Sequence, residues 1–174
     1  MSITADVEQL RKTWVELGMA SQMADELGAY LEQRGRDLDA VIDVASKLRH
    51  QRLYHEALVT YELGERWFPN DRYISNNRGV VYRDWGRLDE AVAAFERALE
   101  IEPKYSKALE GRSESLLLRG DFAEAVARFR TVVEEHPDQA ITWRNLAISL
   151  SGAGKAQESI EAVRWRRILT TCLR

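Results

Sequence analysis

The chain has three prolines, Pro69, Pro103 and Pro137, and they stand 34 residues apart. A fixed period of this size constrains the fold more than any local motif can. It marks a repeat architecture, in which each unit is one supersecondary element that buries its apolar face only against its neighbours. Registered on the prolines, the units are 38–71, 72–105, 106–139 and 140–173, and the chain closes before a fourth proline. Other residue types recur in columns. Twelve residues before each proline stand Ala57, Ala91 and Ala125, with Ser159 in the last unit. Eight before stand Tyr61, Phe95 and Phe129, then Val163. Further columns hold Ala45, Gly79, Ser113 and Ala147; Leu48, Tyr82, Leu116 and Leu150; and Arg52, Gly86, Gly120 and Gly154.

The columns predict a helix–turn–helix in every unit. Apolar residues recur at three- and four-residue spacing, as in Val41, Val44, Ala45 and Leu48, the period of an amphipathic helix. The glycine column falls where a helix C-terminus wants a left-handed residue. Asp89 and Asp121 follow it, suited to the start of the next helix. The alanine column lets two helix backbones approach, and the aromatic column fills the space beside them. Each proline ends the second helix or opens the next, because it cannot continue a helix interior.

These columns closely resemble the tetratricopeptide repeat. Unit 72–105 matches that pattern best, with Gly79, Tyr82, Gly86, Ala91, Phe95, Ala98 and Pro103 in place. Unit 106–139 carries Leu116, Gly120, Ala125, Phe129 and Pro137, with Val132 in place of a small residue. Unit 140–173 begins faithfully with Trp143, Leu146 and Ala147, then departs with Arg166 at a position that is usually small and buried. Unit 38–71 keeps Ala57, Tyr61, Gly64 and Pro69 but has Arg52 for the turn glycine. The resemblance implies an all-α fold, a right-handed superhelical solenoid of about four repeats. Residues 1–37 fit less well. Val7, Leu10, Trp14 and Leu17 make one helical stripe, and Met23, Leu27, Tyr30 and Leu31 another ended by Gly35, so they read as a degenerate capping helix pair.

Composition excludes several function classes. The net charge is −3, which argues against nucleic acid as a general partner, since phosphate binding needs clustered Lys and Arg. The one basic cluster, Arg164, Arg166, Arg167 and Arg174, reads as a solvated helix face. No apolar run approaches the roughly 18 residues of a membrane span. A leader of basic and then apolar residues is not visible, and Cys172 is the single cysteine, both of which favour a cytoplasmic setting.

Catalytic and metal chemistry find no constellation. His50, His55 and His136 lack a second ligand pair at metal spacing, the glycines recur as turn formers rather than as a phosphate loop, and no serine or cysteine has a nucleophile's neighbours. The expectation is a non-enzymatic module with no cofactor.

In the resembled family the first helices line a concave groove in which peptides or partner segments lie. Carried over by position, the groove residues are Arg49 in the first unit; Tyr73, Asn76, Asn77, Val80 and Arg83 in the second; Lys107, Glu110, Glu114 and Leu117 in the third; and Arg144, Asn145 and Ile148, beside Ile141, in the fourth. Asparagine is poor in a helix interior, so the pair Asn76–Asn77 needs a reason. Asn77 and Asn145 share a column, and their amides suit either peptide main chain or a local helix-to-helix hydrogen bond. A two-carboxylate clamp for acidic C-termini is not expected: Asn77 and Lys107 match it, but Ile42, Ser46 and Gly111 stand where Lys, Asn and Arg would be. A second candidate surface is the last helix, whose stripe of Val163, Trp165, Ile168, Leu169, Cys172 and Leu173 is wide for packing on one neighbour. Protein or peptide partners in the groove are therefore the leading expectation. The alternatives are self-assembly through the C-terminal helix and a regulatory segment of a larger enzyme.

Overall fold

A computed structural model of the chain describes residues 20–172, with side-chain surroundings over residues 25–168. Among these residues it contains nine α-helices and no strand: α1 (Ala20–Gln33), α2 (Leu38–His50), α3 (Tyr54–Trp67), α4 (Arg72–Asp84), α5 (Leu88–Ile101), α6 (Ser106–Arg119), α7 (Phe122–Glu135), α8 (Ala140–Gly152) and α9 (Ala156–Cys172). Each helix from α2 on packs against the next, and the even-numbered helices also touch one another in series along one side. The architecture is the all-α solenoid expected. The apolar stripe of Val7, Leu10, Trp14 and Leu17 lies outside the described residues, as does Leu173.

The proline rule has a local cause. Helices α3, α5 and α7 end at Trp67, Ile101 and Glu135, two residues before Pro69, Pro103 and Pro137. At Pro69 the next helix starts at once on a strong cap: the Asp71 carboxylate accepts from the backbone N–H of Tyr73 at 2.8 Å and Ile74 at 3.0 Å. The two aspartates expected at helix starts serve differently. Asp121 is the N-cap of α7 but makes no side-chain capping bond. Asp89 lies one residue inside α5, and both carboxylates take the guanidinium of Arg119.

Within each unit the turn residue is left-handed: Gly86, Gly120 and Gly154 have φ of 83°, 92° and 75°. Arg52 takes the same place in the first unit with φ 62°. A side chain held there costs on the order of 1–2 kcal/mol, which glycine does not pay.

The core runs along the stack as the columns foretell. Ala57, Ala91 and Ala125 are fully buried, and Tyr61, Phe95 and Phe129 are exposed by 1% or less. Each such aromatic contributes about 2–3 kcal/mol by leaving water. Phe95 shows how tightly the helices close. Added β-carbons at Gly79 and Gly111 would lie 2.8 Å and 2.4 Å from its ring. Phe95 on α5 is thus clasped by glycines on α4 and α6, the helices before and after it. In the last unit Ser159 stands in the alanine column, and its hydroxyl donates to the Ala147 carbonyl at 2.8 Å, tying α9 to α8.

Gly111→Ala should destabilise the fold by about 1–3 kcal/mol through overpacking, although alanine is the better helix former. Combining it with Phe95→Leu should shrink the penalty of the glycine change, as a double-mutant cycle in urea would measure. Arg52→Gly should raise stability by about 0.5–1 kcal/mol, read as a higher thermal midpoint.

Candidate functional site in the concave groove

Helices α2, α4, α6 and α8 line one side of the solenoid, and they bring the groove residues named from sequence into one row. Three of their six charges, on Arg49, Arg83 and Glu114, are spent in ion pairs. Arg49 of α2 pairs with Asp84 of α4. The neighbouring Arg83 lies 3.8 Å from Asp84 and donates to Glu114 of α6 at 2.6 Å. The other oxygen of Glu114 accepts from the Asn145 amide of α8 at 3.2 Å. A single polar chain, Arg49–Asp84–Arg83–Glu114–Asn145, therefore runs across all four units. Partly shielded pairs of this kind fix the register of neighbouring helices, and they leave the cations less able to attract a ligand.

This corrects the sequence reading at several positions. Asn145 is 5% exposed and takes the local helix-to-helix bond, one of its two expected uses. Asn76 is also 5% exposed, so it offers no surface to a partner, and its amide nitrogen reaches only the Asn77 oxygen at 3.4 Å. Asn77 itself is half-buried. Val80 is half-buried and packs on the cluster around Phe95. Tyr73 stays exposed but is engaged: it sits edge-on to Tyr105, and Arg72 donates to its hydroxyl at 2.8 Å. Burial and then the adjacent Glu114 carboxylate hold the Glu110 carboxyl above its ordinary value, outweighing a hydrogen bond from Gln139.

What stays open lies between α6 and α8. A cleft of about 560 Å³ is lined by Arg83, Glu114, Leu117, Leu118, Phe122, Arg144, Asn145 and Ile148. Leu118 is 63% exposed and Ile148 48%, an unusual concession for large apolar side chains on one face. Arg144 is exposed and has no ion-pair partner among the described residues, and the same holds for Lys107. Leu118 and Phe122 were missed in the sequence. Leu118 reads there as one of three leucines at the end of α6, and Phe122 as the first residue of α7. A pattern that an exposed leucine breaks shows only when its neighbours are placed.

Among the described residues no group of three or more His, Cys, Asp or Glu is arranged to hold a metal ion. None of the described helices is long and apolar enough to cross a membrane.

Comparison with known proteins places these features. Two tetratricopeptide repeat models match residues 73–105 and 111–164. A probable UDP-N-acetylglucosamine–peptide N-acetylglucosaminyltransferase, SPINDLY of Hordeum vulgare, is 27% identical over 141 residues, covering 75% of this chain and 15% of the relative. The small glutamine-rich tetratricopeptide repeat-containing protein 2 of Mycosarcoma maydis is 28% identical over 96 residues, 55% of this chain and 27% of the relative. The chain thus spans about a quarter or less of the length of these relatives. Among solved structures, MamA of Desulfovibrio magneticus RS-1 superposes with a TM-score of 0.70 at 21% identity, over 75% of this chain and 74% of that one. YrrB, described as a TPR protein with an unusual peptide-binding site, superposes with a TM-score of 0.68 at 17% identity, over 97% and 92%. The repeat columns, the helix pairs and the matched models agree: the chain belongs to the tetratricopeptide repeat family.

Proposed function

We propose that this chain is a non-enzymatic protein-binding scaffold that holds a partner segment in the cleft between α6 and α8. One observation carries the reading. The groove neutralises Arg49, Arg83 and Glu114 within itself but leaves exposed apolar side chains, Leu118 and Ile148, next to an Arg144 without an ion-pair partner among the described residues. Such a surface suits a segment that offers an apolar side chain beside a carboxylate, with the apolar contact supplying affinity and the arginine orientation. A strongly acidic tail fits less well, because the Glu114 carboxylate lines the cleft and Glu110 stands close enough to feel its charge. YrrB, described as having an unusual peptide-binding site, supports peptide binding as a use of this fold. The small open cleft points to modest affinity, on the order of micromolar.

A regulatory segment of a larger enzyme is the second reading. It is favoured by relatives named as a glycosyltransferase and as a thioredoxin, of which the chain matches 15% and 13%. In that case the same cleft would serve substrate or regulator docking for a catalytic part elsewhere.

Phage-displayed peptides selected on the folded chain, then measured by fluorescence anisotropy, test the site. Selected binders should carry an apolar residue next to Asp or Glu. Ile148→Glu and Leu118→Glu should each weaken them by about tenfold or more, and Arg144→Ala should remove the preference for the acidic neighbour. Binders indifferent to all three changes would place recognition elsewhere.

The groove acid gives a stability test. The Glu110 carboxyl is raised in the folded chain, so the folded state binds its proton more tightly than the unfolded state. Its contribution to stability is complete below the unfolded value and is lost as pH rises through the raised value. Glu110→Gln should therefore unfold like the wild type in acid and be the more stable protein at neutral pH, as thermal melts across pH would show.

A further inference from the structure

Helix α9 turns an uncovered face away from the stack. Its inward residue, Ala162, is 4% exposed, whereas Ile160, Trp165 and Ile168 are exposed by 50%, 54% and 48%. By the 34-residue register Ile160 stands where Leu58, Val92 and Val126 stand in earlier units; Leu58 and Val126 are 5% and 3% exposed, and Val92 is half-buried. Trp165 and Ile168 stand where the exposed Thr131 and Glu134 stand in the unit before, so on this outer side of α9 apolar side chains replace polar ones. Trp165 is held in place on it, stacked on Trp143 with ring centres 5.9 Å apart, and the Trp143 indole donates to the Pro137 carbonyl at 2.8 Å.

The charges on this face indicate what would cover it. Glu161, Arg164, Trp165 and Ile168 line one shallow depression of about 330 Å³. Neither Glu161 nor Arg164 has an ion-pair partner among the described residues. They are one turn apart on the same side, and Gln157, Ile160, Trp165 and Ile168 each stand four residues from one of them. A basic partner helix would set a like charge against Arg164, and an acidic one would set a like charge against Glu161. A second α9 running antiparallel solves both at once. With the two-fold axis between Ala162 and Val163, Glu161 of each copy meets Arg164 of the other, Ile160 meets Trp165, and Gln157 meets Ile168.

We propose that two copies of this chain associate through α9 about such an axis. The contact is isologous, so each interaction occurs twice. It involves one helix per copy, which makes the dimer weak, on the order of micromolar, rather than obligate. The groove between α6 and α8 takes no part in it.

Sedimentation equilibrium of the full chain from low to high micromolar concentration tests this. The wild-type mass should rise from 20.0 kDa toward twice that value. Glu161→Arg and Arg164→Glu should each weaken association by about tenfold or more, because each sets like charges opposite one another. An equimolar mixture of the two variants should associate again, one bringing paired cations and the other paired carboxylates. Far-UV circular dichroism checks that both variants keep the wild-type helix content. A wild type that stays monomeric, a mass that climbs past the dimer, association untouched by both changes, or a mixture that does not recover would each overturn the proposal.

Discussion

The stack depends on a ring meeting a bare backbone. Phe95 reaches between α4 and α6 because Gly79 and Gly111 carry nothing in its way. The same close approach recurs where Val41 meets Gly64 and where Phe122 meets Gly152, at 2.6 Å and 2.5 Å for an added β-carbon. Within a unit (Phe95 on Gly79, Val41 on Gly64) and between adjacent units (Phe95 on Gly111, Phe122 on Gly152), these contacts bring helices close enough to exclude water from the aromatic column. They also set the spacing of the even-numbered helices that line the groove. Interiors are packed too densely to absorb a misplaced methyl group, so the glycines and the aromatics form one constraint, not two.

On that frame the groove acquires its character from pairs formed across units. Arg49, Asp84, Arg83, Glu114 and Asn145 belong to four different units, yet they form one continuous polar chain. Its internal satisfaction removes several charges that a sequence reading would offer to a ligand. The surface left exposed is smaller and more apolar than the list of groove positions implies, with Leu118, Ile148 and Arg144 open to solvent. The same reasoning, applied to α9, separates it from the helices before it. There Trp165 and Ile168 stand exposed in columns that hold Thr131 and Glu134 in the unit before.

Much of the fold was legible before any coordinate. The 34-residue recurrence of Pro69, Pro103 and Pro137 set the units, and the helix ends fall two residues before each. The left-handed turn was readable at Gly86, Gly120 and Gly154, and even its exception, Arg52, keeps the conformation of its column. The candidate site was legible only as a set of positions. Asn76 and Asn145 read as available amides, but both are buried, and Asn145 is taken by Glu114. Tyr73 reads as an available groove residue, but Arg72 and Tyr105 hold it. Leu118 was not singled out at all.

The sequence by itself determined the repeat, the helix pairs and the inward-facing columns, because each follows from local rules. These are the period of an amphipathic helix, the conformational freedom of glycine and the missing N–H of proline. Only the tertiary structure decided which groove residues are free. Whether Arg83 or Arg144 can meet a partner turns on a carboxylate about 30 residues away in the chain, and only Arg83 has one within reach at Glu114. Pairing between units depends on distance in space, and distance in sequence does not encode it.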